Sequence, residues 1–123
     1  MRADSQTSVP MPEAVDGGLV DVAVEIFSML ADATRVRIVL ALAGGELSVN
    51  TLADLLHKPA AAVSQHLAKL RLARIVTPRH EGTRVFYRLA NEHISQLVTD
   101  AMFQAEHSVE DQPHHHRTES GRR

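Results

Sequence analysis

Apolar residues recur at helical spacing from Leu19 to Leu30, where Leu19, Val22, Ala23, Ile26, Phe27 and Leu30 predict one amphipathic helix. Asp32 stands where an N-cap is needed. It precedes a second helix carrying Val36, Ile38, Val39, Leu40 and Leu42, which Gly44-Gly45 should stop. Ser48 caps a third helix containing Val49, Leu52, Leu55 and Leu56. Lys58-Pro59 punctuates, and a fourth helix is expected from about Ala60 to Arg74. The period then changes from helical to extended. Ile75–Arg79 and Arg84–Leu89 are β-rich runs around His80-Glu81-Gly82-Thr83, which predicts a hairpin. Asn91 can cap a last helix from Glu92 to about His107.

This order of elements predicts a mostly α domain with a β-hairpin wing, a winged helix-turn-helix over residues 19–107. Residues 1–18 mix Ser, Pro, Asp and Gly and are expected to form a flexible N-terminal arm. Residues 108–123 are polar, include Pro113 and three consecutive histidines, and are expected to form a flexible His-containing tail.

The fourth helix is the most informative. Val63, Leu67 and Leu70 fall within about 40° of one another at ~100° per residue, so they predict the packed face. Gln65, Ala61, Ala68 and Lys69 point the opposite way, with Ser64 on the shoulder. That outer face is short and hydrogen-bond-capable, as a helix entering the DNA major groove must be. Ser64 and Gln65 are candidates for base edges, and Lys69 and Arg71 for phosphates. Arg79 and Arg84 flank the hairpin turn and are candidates for the backbone or minor groove. His66 reads as a packed or structural histidine, and His57 and His80 as solvated ones.

Charge sharpens this picture. The net charge of the 123 residues is −2, which alone speaks against nucleic acid. Its distribution does not: residues 31–90 hold nine basic and four acidic groups, while both flanks are acidic. Between Lys58 and Arg88 seven basic residues face the single Glu81, so a basic surface coincides with the reading helix and hairpin. There is no cysteine, which removes disulfides, thiolate metal sites and thiol redox sensing. No apolar run approaches ~18 residues, so no membrane partner is expected and a cytoplasmic protein is. No His-Glu-x-x-His pair, nucleophile elbow or phosphate-binding Gly loop occurs, so the chain does not read as an enzyme.

Leu30-Ala31-Asp32-Ala33-Thr34-Arg35-Val36-Arg37-Ile38, Val63-Ser64-Gln65-His66-Leu67 and Gly82-Thr83-Arg84-Val85-Phe86-Tyr87 resemble the ArsR/SmtB family of bacterial metal-sensing repressors. The resemblance covers roughly residues 19–107. It implies a homodimer that represses a metal-efflux operon and leaves operator DNA when metal binds.

The last helix carries two stripes. Ile94, Leu97, Val98, Ala101, Met102 and Ala105 form an apolar face that needs a partner, and a two-fold dimer through the first and last helices supplies one. His93, Asp100, Gln104 and His107 lie on a neighbouring polar line. His93 and His107 are 14 residues apart. That is about 21 Å along a helix, too far for one ion with bonds of about 2 Å. Antiparallel pairing about an axis near Asp100 would bring His93 of one copy beside His107 of the other. The family's zinc-type ligand pattern is only half kept, because Asn91 and Gln104 stand where strong ligands would be. The nickel/cobalt-sensing pattern within the family implies a set of His93, Glu106 and His107 with tail histidines, for which His114, His115 and His116 are available. Imidazole and carboxylate suit Ni2+ or Co2+ and leave Zn2+ possible. The alternative is the same DNA-binding repressor answering to zinc or to a non-metal input.

Overall fold

Helix α1 (Leu19–Leu30) opens the part of the chain that the computed structural model describes, residues 17–111. It is followed by α2 (Ala33–Leu42), β1 (Leu47–Ser48), α3 (Val49–Leu56), α4 (Ala60–Leu72), β2 (Val76–Glu81), β3 (Arg84–Leu89) and α5 (Glu92–Asp111). The chain is mostly helical with a β-hairpin wing, as its sequence predicts. Residues 1–16 of the expected arm, and residues 112–123 with His114, His115 and His116, lie outside the described residues.

Local chemistry sets most boundaries. Asp32 accepts a hydrogen bond from the Arg35 backbone N–H at 3.0 Å, so α2 starts where its cap stands. Ser48 does the same for α3 through the Thr51 N–H at 3.1 Å. His57 leaves α3 in the left-handed conformation (φ 56), and Lys58 N–H closes onto the Ala53 carbonyl. Pro59 then leads into α4 with its ring-fixed φ of −62. Helix α4 ends at Leu72, two residues before the expected limit, because Arg74 turns left-handed at φ 62. Asn91 Oδ1 accepts from the His93 N–H at 2.9 Å and starts α5.

Two differences from expectation have physical reasons. Helix α5 continues to Asp111 rather than ending near His107, since no breaker occurs before Pro113. The two-residue strand β1 was not predicted. It exists through pairing with β3, Leu47 opposite Tyr87 and Ser48 opposite Phe86. The sheet is antiparallel in the order β1-β3-β2, with Glu81 opposite Arg84 across the Gly82-Thr83 turn. Gly82 supplies the positive φ (63) that this short turn needs. Pro78 is tolerated because β2 is an edge strand.

The core gathers Ile38, Val39, Leu52, Val63, Leu67, Leu70 and Ile75, all without exposed surface. At roughly 1.5–3 kcal/mol for each fully buried aliphatic side chain, these residues hold α2, α3 and α4 together. The two outer helices are different. On α1, Leu19, Val20, Val22, Val24 and Phe27 are exposed, and on α5 so are Met102, Phe103 and Val109. Only Ile94 and Val98 of α5 are buried.

Candidate DNA-binding surface and effector helix

Burial orients the reading helix. Val63, Leu67 and Leu70 are sealed in the core, which leaves Ser64, Gln65, Lys69 and Arg71 on the exposed face of α4. Ser64 lines a cleft of about 320 Å³ with Asn50 of α3 and Thr83 and Arg84 of the hairpin tip. Helices α3 and α4 and the hairpin tip therefore converge on one groove.

The two wing arginines have different surroundings. Arg84 sits at the tip, its guanidinium 4.9 Å from the Phe86 ring centroid. Arg79 lies over the same ring at 4.7 Å and is tied down. Its Nε and Nη2 donate to the Glu46 carboxylate at 2.8–3.1 Å, and Nη1 reaches Glu81 at 3.5 Å. This fork joins the α2–β1 loop to β2. Sequence reasoning saw the charge on Arg79 but not its partner, which lies 33 residues away.

These pairings leave electrostatic marks. The hydrogen bond from Arg79 holds the Glu46 carboxyl below the usual range, and Glu46 raises Arg79 in return. Asp32 is also lowered, chiefly by the Arg35 backbone N–H it caps. Both acids favour their charged forms in the folded chain. Their stabilisation is complete above the range of free carboxyls, about pH 4, and is lost as pH falls through the lowered values. The contribution of these two carboxyls to thermal stability should fall away below about pH 4. In Glu46→Gln the acid limb should be shallower; an unchanged limb would remove this pair from the account.

One contact joins α4 to the end of α1, and sequence reasoning missed it. Arg35 Nε donates to His66 Nδ1 at 3.1 Å, while Arg35 Nη1 donates to the Met29 carbonyl at 3.3 Å. His66 is thus engaged, as a structural histidine would be. The residues are 31 apart in sequence, and only the helical face of His66 hinted at the contact.

On α5, His93, Glu106 and His107 are exposed, and their side chains make no hydrogen bond or ion pair among the described residues. Asn91 spends its side-chain oxygen on the helix cap. Asp100 accepts from Gln96 one turn earlier at 2.9 Å. Because α5 is one continuous helix, His93 stays about 21 Å from His107 along its axis. Among the described residues no single-chain group of three or more His, Asp or Glu side chains could hold an ion. His93, Glu106 and His107 are thus uncommitted donors that one copy does not bring together. Also among the described residues, no helix is long and apolar enough to cross a membrane.

The sequence model for the bacterial regulatory protein arsR family matches residues 32–77, from the α2 cap into the wing. The chain is 54% identical over 110 residues to the HTH-type transcriptional regulator KmtR of Mycobacterium tuberculosis, covering 89% of this chain and 85% of that protein. It is 41% identical to the HTH-type transcriptional repressor SmtB of the same organism, over 71% of this chain and 64% of the relative. Among solved structures, a homodimeric winged helix-turn-helix DNA-binding domain from Mycobacterium bovis aligns with a TM-score of 0.72 at 27% identity. That alignment covers 87% of this chain and 97% of the domain. The chain belongs to the ArsR family of bacterial regulatory proteins and is a DNA-binding transcriptional regulator, not an enzyme.

Proposed function

We propose that the protein is a cytoplasmic homodimeric repressor of metal efflux that holds its operator when metal-free and releases it when Ni2+ or Co2+ binds between the two copies. One observation carries this reading: α5 bears exposed imidazoles too distant to share an ion, beside an apolar surface that one copy leaves uncovered. Covering Met102, Phe103 and the apolar residues of α1 with a second copy removes a large apolar patch from water. Antiparallel α5 helices then set His93 of one copy beside Glu106 and His107 of the other, and His114, His115 and His116 are the further donors.

Bound metal supplies only binding energy that favours one dimer geometry. The protein converts this into a changed spacing of the two α4 helices, so they no longer match successive major grooves. A coupling of ~1–3 kcal/mol is typical of such linkage. Because imidazole must be neutral to ligate, metal affinity should fall as pH drops through about 6.5.

On DNA, Ser64 and Gln65 address base edges, Lys69 and Arg71 meet phosphates, and Arg84 extends from the wing tip. Arg79, held by Glu46 and Glu81, braces the wing beside the DNA backbone. Gln65→Ala should weaken operator binding by roughly 1–3 kcal/mol while leaving random-sequence binding nearly unchanged. Equal losses on both DNAs in an anisotropy titration would refute base reading by Gln65. The function itself is tested by titrating operator DNA with the protein, with and without nickel, cobalt or zinc. Release by nickel or cobalt supports it, and unchanged affinity with all three rules it out.

A further inference from the structure

His66 makes the polar side-chain contact that ties α4 to another element among the described residues. Its Nδ1 accepts from Arg35 Nε at 3.1 Å and lies 3.9 Å from Asp32 Oδ2. Arg35 meanwhile reaches back to the Met29 carbonyl and sulfur on α1. One guanidinium therefore spans the last turn of α1, the first turn of α2 and the middle of the reading helix. His66 follows directly on Ser64 and Gln65, so any shift at this contact turns the groups that face DNA.

An imidazole that accepts at Nδ1 is neutral and carries its proton on Nε2. Protonation places a second N–H at Nδ1, opposite the Arg35 Nε–H. Two donors and two positive charges then meet at hydrogen-bond distance, with Asp32 as their shared counter-charge. The facing charged groups are Asp32 and Arg35, both from α2. From α1 come only the Met29 carbonyl and sulfur, and no ion pair from α3, the sheet or α5 reaches His66 among the described residues. The protonated ring must leave Arg35 for Asp32, which undoes the link to α1.

We propose that Arg35 and neutral His66 are a positioning pair that sets the pitch of the reading helix against the dimerisation helix, and that protonating His66 lowers operator preference in the metal-free protein. This rests on α4 being the reading helix, and it adds an input separate from the metal on α5.

The test measures the ratio of operator to random-DNA affinity in chelator-treated full-length protein at about pH 7.5 and about pH 5.5. Taking the ratio cancels any change with pH that is common to all DNA. The ratio should fall roughly tenfold on acidification, a typical size for such coupling. In His66→Asn the amide oxygen can accept from Arg35 at every pH, so its ratio should stay level. Parallel falls in both proteins would overturn the proposal. Should the variant fold poorly, nitrogen-15 spectra of the unaltered protein decide. The Arg35 Nε resonance should move with the same midpoint as the ratio, and a different midpoint overturns the proposal. Absence of operator preference at either pH would instead remove the reading-helix assignment.

Discussion

Replacing His93 or His107 by alanine is expected to abolish operator release by nickel or cobalt while leaving metal-free operator binding unchanged. Both side chains are exposed on α5 and touch no described residue through a hydrogen bond or ion pair, so removing them empties no cavity. Alanine is also the best helix former, and the Asn91 cap uses the His93 backbone, which the substitution keeps. What disappears is the differential affinity of metal for one dimer geometry. A typical coupling of ~1–3 kcal/mol, or about 5–150-fold in operator affinity, should collapse to no change. Anisotropy titrations with saturating metal read this directly. A fully metal-responsive His107→Ala protein would show that the ligands lie elsewhere.

Leu67→Ala carries the largest expected cost to stability. Leu67 has no exposed surface and belongs to the buried cluster with Ile38, Leu52, Val63 and Leu70. Truncating it leaves a cavity in a core built almost wholly from aliphatic residues, at a cost of about 2–5 kcal/mol. Against a total of about 5–15 kcal/mol for a domain, that is a large fraction. A urea melt should show a much lower midpoint with little change in slope. The neighbouring exposed Gln65→Ala should melt almost as the unaltered protein does, so the pair separates packing from DNA reading on opposite faces of one helix. A loss below about 1 kcal/mol at Leu67 would contradict the packed face assigned to α4.

Features governed by short-range rules were legible in the sequence. Asp32, Ser48 and Asn91 each cap the helix they precede, and Val63, Leu67 and Leu70 face inward as their spacing demanded. The hairpin follows from β-rich runs about Gly82. Features that depend on distant partners were not legible. Strand β1 is too short to carry a pattern and owes its existence to β3. The fork between Arg79 and Glu46 and the contact between Arg35 and His66 join residues more than one element apart, where no spacing rule applies. Of the effector helix, the two stripes were visible because they repeat within one α-helix. The extension to Asp111 was not, since Ser108 to Asp111 carry Val109 as their one apolar residue and read as tail.

The central claim is that each metal site is completed only by a second copy, and mixed dimers test it most directly. His93→Ala and His107→Ala proteins, each unable to bind nickel tightly alone, are mixed, allowed to exchange subunits and titrated. A heterodimer retains one intact His93–His107 pair across its interface, so tight binding should return at one ion per mixed dimer. If mixing restores nothing, the two imidazoles do not meet between copies and the proposed route from metal to DNA is wrong.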